Sequence, residues 1–446
     1  MTIDTFGLPK ELGDGLVLRW ATAADVEALA EFNVKMHSDN AEEEPLLRYW
    51  FYDLAQGKHP TTNISDFTVV EDTKTGEIVS TLCTIHQTWA YEGIPFPLGR
   101  VELVGTLEAY RRRGLVRRQM EAVHAKGAAR GELMQGITGI PWYYRKFEYE
   151  MALDLGGGRY YNWDKPGNLV RLAEEKEPYT WRTAKESDIP FLEQLYRLHC
   201  SASMIYTLRP MSHWQHELSG HHEQSLQLRH RWIIVHKELG DVAYVQFYIT
   251  EPHIVVYEVA AVPGHSLREV SLYLTRMLKG LAKVRAEKEK DKPKIANLIF
   301  RLGAEHPVYQ ALGRQLERPL RPYAWYIRIP DIAAFLRKIQ PVLERRLAVS
   351  VMAGHTGNLR INLYARGTIN IEFENGHITS IGTYQKKEVA DGDVHYPDLL
   401  FIQQLCGRHT LAELNEIFAD CYGSPEAEIL TTILFPKRSS LPIGLG

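Results

Sequence analysis

Tyr110–Met120 (YRRRGLVRRQM) gathers five arginines around one glycine, between two runs of different grammar. Ahead of it, Arg100–Leu107 (RVELVGTL) reads as a strand. Behind it, Val116–Gly127 reads as a helix. A strand, a short loop and a helix N-terminus bring several unpaired backbone N–H groups to one point, and a diphosphate suits that point. Gly114 lets the backbone come close, and Arg111, Arg112, Arg113, Arg117 and Arg118 surround it with positive charge. The plainer description of the same residues is a basic helix start.

Positioning such a loop takes a sheet flanked by helices. The chain reads as a strand and helix near 16–36, a helical region near 44–56, and strands at 66–73, 77–87 and 99–107. The loop at 111–116 follows, with a helix to about 129, a strand at 133–139, a short helix from 141 and a strand ending near 155. The order then repeats. Arg19–Asp25 (RWATAAD) and Arg182–Asp188 (RTAKESD) each precede a helical apolar pattern, and each aspartate sits at an N-cap-like position. Further on, Ile140–Phe147 parallels His306–Gly313 at nearly the same separation, so the landmarks keep their order as in a duplicated domain. The second copy reads as strands at 231–237, 241–250, 253–261, 294–301 and 322–329 with a helix at 267–287. Gly156–Tyr179 serves as connector. Aligning Val104–Thr106 with Val259–Ala261 puts Glu269 where Gly114 stands. A bulky anion is wrong for a diphosphate, so one cofactor site is expected, in the first copy.

From Asp331 the pattern changes. Ile332–Ala348 is amphipathic, with Pro341 as an expected kink or break. Strand-like Leu359–Tyr364, Thr368–Glu374 and His377–Tyr384 follow, the last two joined by the hairpin signal Asn375-Gly376. Helices are expected at 397–406 and 410–420, with Thr410 as N-cap. The predicted units are 1–155, 156–330 and a small α+β unit 331–446. Bulk properties fit: 446 residues exceed one ordinary core. A net charge of −3 argues against a general nucleic-acid binder. Cys83, Cys200, Cys406 and Cys421 have no zinc-like or redox spacing, and no apolar run suits a membrane span or signal sequence. The expected location is the cytoplasm.

The loop resembles the coenzyme A diphosphate loop, Arg/Gln-x-x-Gly-x-Gly/Ala, of the GCN5-related N-acetyltransferases (GNAT), with Arg111 and Gly114 in place and Val116 where Gly or Ala is usual. Tyr143–Tyr149 (YYRKFEY) resembles the GNAT pattern Phe-Tyr-x-Lys-x-Gly-Phe, with Glu148 in place of glycine. The order of active GNAT, degenerate GNAT and a unit similar to sterol carrier protein resembles the enhanced intracellular survival protein family. That resemblance implies two tandem GNAT folds (α/β) plus an α+β domain, and an acetyl-CoA-dependent N-acetyltransferase working by direct transfer to a primary amine of a small molecule or a lysine side chain. It implies a homo-oligomer, hexameric in that family.

By the same resemblance Val104, Gly105 and Thr106 hold pantetheine and the acetyl carbonyl, and Arg111–Arg117, with Leu115 and Val116, hold the diphosphate. Tyr144 is then the general acid; a phenol stays protonated at neutral pH and can donate to a thiolate. Two bases stay open: the C-terminal carboxylate of Gly446, which in that family enters the active site, and Glu102 acting through water. No metal is called for; His213, His216, His221, His222 and His230 read as a polar surface segment. Asp39 and Glu42–Glu44 could attract a cationic amine but read as a solvated loop. Trp89, Tyr91 and Trp142 read as core or pocket wall. The rival function is an apolar-ligand or lipid-binding protein acting through residues after 331.

Overall fold

The computed structural model describes residues 4–168 and 176–445; the Gly446 expectation lies outside the described residues. The first run contains β1 (Lys10–Gly13), β2 (Leu16–Trp20), α1 (Val26–His37), α2 (Glu43–Ala55), β3 (Phe67–Asp72), β4 (Glu77–Tyr91), β5 (Ile94–Thr106), α3 (Leu115–Ala129), β6 (Met134–Ile137) and β7 (Glu150–Leu155). The next contains β8 (Gly158–Tyr161), β9 (Tyr179–Thr183), α4 (Ile189–Cys200), β10 (Ile205–Thr207), α5 (Met211–Gln215), β11 (Arg231–His236), β12 (Gly240–Thr250), β13 (His253–Ala261), α6 (Leu267–Lys288), β14 (Asn297–Phe300), α7 (Pro307–Leu312), β15 (Leu316–Leu320) and β16 (Tyr323–Arg328).

The two sheets exchange a strand. The first runs β1-β2-β3-β4-β5-β6-β16-β7, with β10 on the far stretch of β4; the second runs β15-β8-β14-β13-β12-β11-β9. β16 is antiparallel to both β6 and β7, and β8 is antiparallel to both β14 and β15. This corrects the expectation that 322–329 completes the second copy: the strand exists, but it closes the first sheet. The first residues of the expected connector close the second. The duplicated landmark is the same interaction in both halves. Arg19 grips Asp25 through two bonds of 2.8 and 2.7 Å, and Arg182 grips Asp188 through two of 2.7 and 2.9 Å.

After β16 come α8 (Ile332–Ala348), β17 (Gly357–Asn362), β18 (Thr368–Glu374), β19 (His377–Gly382), α9 (Leu400–Leu405), α10 (Leu411–Ile417) and α11 (Pro425–Leu434). α8 runs through Pro341, against the expected break. Phe335, Leu336, Ile339, Val342, Leu343 and Leu347 on both sides of the proline are buried, and their burial outweighs the roughly 3 kcal/mol cost of an interior proline. Asn375 and Gly376 both take positive φ, as a two-residue hairpin turn requires, and Thr410 caps α10 through Glu413 N. The apolar face of α8 joins Trp89, Tyr91, Phe96 and Leu98 of the first sheet in one core. Beside it, Glu92 receives Arg345, Arg346 and Arg438 at 2.9, 2.7 and 2.5 Å. The result is a mixed α/β protein of several sheets flanked by helices. No helix among the described residues is long and apolar enough to cross a membrane.

Candidate active site

A pocket of about 610 Å³ opens where β5 meets α3. Val104, Gly105, Thr106, Arg111, Arg112, Gly114, Leu115, Val116 and Arg117, all expected from sequence, line it together with Met36, Ile140, Tyr143, Lys146 and Phe147. Arg113 does not; its guanidinium lies 5.0 Å from the Tyr110 ring centroid. Gly114 is the N-cap of α3 at φ 76° and offers no side chain to cap it. The first-turn N–H groups of α3 are therefore free for an anion, with the helix dipole behind them.

β5 supplies the second wall. It pairs with β6 only over Leu98–Arg100, so Glu102–Thr106 keep one edge without a strand partner among the described residues. On its other edge Gly105 pairs with Thr81 and Glu102 with Cys83, leaving Leu103 and Val104 opposite Leu82 alone. Leu103 takes φ 53° in this bulge. A bulge turns backbone groups out of the ladder and re-aims them, here toward the pocket. Phe32 and Met36 of α1 pack against Gly105.

Tyr144 opens a short helical turn, Tyr144–Phe147, whose Lys146 and Phe147 line the pocket; Tyr144 and Glu102 themselves are not among its lining residues. It is 3% exposed and packs against the rings of Tyr143, Tyr149 and Tyr326. Burial, and then the charge of Glu102, push its phenol well above the usual range, so it stays protonated at neutral pH. Its counterpart Tyr309 is tied internally, donating to Gly303 O at 2.9 Å and accepting from Leu302 N. Glu148 adopts the left-handed conformation (φ 70°) that a glycine would take there. Arg328 and Arg366, 3.0 and 3.2 Å from its carboxylate, hold it.

Glu102 accepts from Arg100 Nε at 2.9 Å. Arg100 is 4% exposed, and its Nη1 donates to Leu445 O at 3.2 Å while Gln87 Nε2 donates to the same oxygen at 2.8 Å. The tail reaches this point along β10. Met204 N donates to Ser439 O, Leu441 N to Ile205 O and Thr207 Oγ1 to Ile443 O, each at 2.8 Å. β10 itself pairs with β4. Gln87 and Arg100 were not anticipated from sequence as site residues; the one available signal was a charged residue inside an apolar strand run.

The equivalent helix start in the second half is closed. α6 is capped by Ser266, whose Oγ accepts from Glu269 N at 3.2 Å. Ser266, not Glu269, therefore occupies the place of Gly114, a correction of three residues; Glu269 adds its charge in the first turn. Three of the five histidines are also corrected, while His230 is exposed as expected. His213 and His216 are 3% and 5% exposed, facing His59 at ring separations of 5.7 and 5.1 Å. His221 Nδ1 lies 3.1 Å from buried Asp53 of α2. These imidazoles belong to the contact between the two halves, on the side of Arg100, whose charge reaches His59. Burial first, then neighbouring imidazoles, depress His59 to about 2 and His216 to about 4. Among the described residues no three metal-ligating side chains are placed to hold an ion. Trp89 and Tyr91 are core, while Trp142 is 64% exposed beside the pocket mouth.

Residues 18–152 match the model of the acetyltransferase (GNAT) domain family. Those residues are a GNAT acetyltransferase domain, and the chain is an acyltransferase. No curated protein sequence matches the chain. Three solved structures share its fold over nearly its whole length. A conserved protein of unknown function from Enterococcus faecalis, a probable N-acyltransferase, is 11% identical with TM-score 0.66, covering 97% of this chain and 99% of that one. A GCN5-related N-acetyltransferase from Kribbella flavida is 15% identical with TM-score 0.62, covering 97% and 100%. Eis1 from Mycobacterium abscessus is 13% identical with TM-score 0.60, covering 97% and 99%. At these identities the likeness is one of fold.

Proposed function

We propose that the chain is an acetyl-CoA-dependent N-acetyltransferase that moves an acetyl group directly to a primary amine, on a small molecule or a lysine side chain. The observation that carries this reading is the pocket joining a helix N-terminus without a side-chain cap, an arginine-rich rim and the stretch of β5 that is bulged on its β4 side and extends past its pairing with β6. Acetyl-CoA supplies an activated acyl carbon on a thiol leaving group. The α3 N-terminus, Arg111, Arg112 and Arg117 complement its diphosphate, and backbone N–H groups near Val104 and Gly105 polarise the acyl carbonyl.

Protonated Tyr144 gives its proton to the departing thiolate. On the opposite side, Glu102 takes the amine proton through water, or the tail beyond Leu445, ending in this sequence at Gly446, does so. Arg100 bonds both Glu102 and Leu445 O. In this reading residues 1–155 catalyse, 156–330 form a second GNAT copy without a donor site, and 331–446 form a unit similar to sterol carrier protein. The apolar residues of that last unit enter the core it shares with the first sheet, which favours the enzymatic reading over apolar-ligand binding.

Thiol release from acetyl-CoA across an amine library tests the proposal, with donor affinity measured alongside. Tyr144→Phe is expected to lower kcat by about 100-fold while donor affinity is retained. A wild-type protein that releases thiol with no amine contradicts the proposal.

A further inference from the structure

A buried hydrogen-bonded chain crosses the apolar interior beneath the pocket. Thr68 of β3, Gln119 of α3 and Ser80 of β4 are each 0% exposed, and Thr106 at the pocket wall is half-buried. Thr68 Oγ1 donates to Gln119 Oε1 at 3.0 Å, and Gln119 Nε2 donates to Ser80 Oγ at 2.7 Å. Ser80 Oγ lies 2.9 Å from Gly105 O and 2.7 Å from Thr106 Oγ1. Leu82, Val101, Met120 and Val123 form the surrounding core. The backbone ladder pairs Ser80 with Thr106 whatever their side chains are. A polar chain in such a place gains little net stability over apolar residues of similar shape, so its explanation lies in what stands at its end.

Counting protons narrows what that is. With Gln119 Oε1 engaged by Thr68, the amide N–H points at Ser80, so the Ser80 oxygen is an acceptor there. Ser80 has one proton and two acceptors in reach, Gly105 O at 2.9 Å and Thr106 Oγ1 at 2.7 Å; we assign it to Gly105, whose carbonyl can only accept. In that arrangement Thr106 donates its own proton to Ser80. What remains on Thr106 Oγ1 is lone pairs, at the wall of the pocket. The Gly105 carbonyl, the alternative acceptor, is already engaged.

We propose that Ser80 and Gln119 are positioning residues that lock the Thr106 hydroxyl as a hydrogen-bond acceptor, so that the pocket selects an acyl donor presenting an amide N–H at that point, as the pantetheine arm does. This rests on the acyl-donor reading of the pocket. It assigns donor recognition to a side chain whose polarity is set two residues away, in the interior.

Steady-state kinetics with acetyl-CoA at saturating amine tests it, with circular dichroism to confirm folding. Thr106→Val is expected to raise the donor KM by about 3- to 10-fold with little change in kcat, and Thr106→Ser to recover most of that loss. Ser80→Ala and Gln119→Leu each raise the donor KM in the Thr106 background and add little in the Thr106→Val background, as a single coupled unit demands. A Thr106→Val variant with wild-type KM, or Ser80 and Gln119 effects that add in full to those of Thr106→Val, overturns the assignment. Wild-type protein that binds no acetyl-CoA in calorimetry overturns the donor reading itself, and this assignment with it.

Discussion

Gly444→Ala puts the tail contact under direct strain. A Cβ at residue 444 would lie 3.0 Å from Arg100 Cζ, 3.5 Å from Trp325 Cη2, and nearer still to Arg100 Nη1. Trp325 is 4% exposed and belongs to the shared core, so it cannot yield; either the Arg100 guanidinium or the tail must move. Arg100 makes two charge-assisted bonds, 2.9 Å to Glu102 and 3.2 Å to Leu445 O, and losing one such bond costs about 1.5–3 kcal/mol. Expressed in catalysis, that is a loss of at least about tenfold in kcat/KM for the amine. The donor loop is on α3, away from this contact, so acetyl-CoA affinity is expected to stay within about twofold, a shift of under 0.5 kcal/mol. The assay is kcat/KM for the amine at saturating acetyl-CoA, with calorimetry for the donor. A Gly444→Ala protein with wild-type kcat/KM and melting temperature refutes the argument that Arg100 couples the tail to Glu102.

Two further outcomes follow from the geometry. Gly114→Ala adds a methyl that meets nothing within 4 Å, so its cost is the left-handed backbone alone, about 1–2 kcal/mol; calorimetry should show weaker donor binding and the thermal melt a modest loss. Stability is expected to fall on acidification below pH 6.5. His59 and His216 have folded pKa values near 2 and 4, below the ordinary 6.5, so the unfolded chain binds protons first and stability present above pH 6.5 is lost as pH falls. Together they approach a slope of about 2.7 kcal/mol per pH unit between pH 6 and 4, readable by denaturant titration; the pairs His59→Gln and His216→Gln should flatten it.

What the sequence reveals depends on how local the physics is. The donor loop is legible because phosphate binding writes its needs, a glycine and arginines at a helix start, into consecutive residues. The hairpin at Asn375-Gly376 and the cap at Thr410 are legible for the same reason. Tyr323–Arg328 reads correctly as a strand, yet its sheet is decided by partners at Gln135–Ile137 and Glu150–Leu155, which no local pattern encodes. His213, His216 and His221 read as a polar surface because their neighbourhood is polar; they are buried where Asp53 of α2 and His59 of the first half pack against them. Glu148 in a glycine position is tolerated through Arg328 and Arg366, more than 170 residues distant in sequence. The tail reads as a short apolar ending, and its place beside Arg100 depends on the pairing of β10 with β4.

The most direct measurement of the central claim is the stoichiometry of acetyl-CoA binding by calorimetry, in wild type and in the Arg111→Glu/Arg117→Glu variant. The account predicts one site per chain, salt-sensitive and lost in the variant, because α3, with no side chain capping it, presents its N-terminus to the pocket that Arg111, Arg112 and Arg117 line. Two sites per chain, or one site indifferent to Arg111 and Arg117, would contradict it.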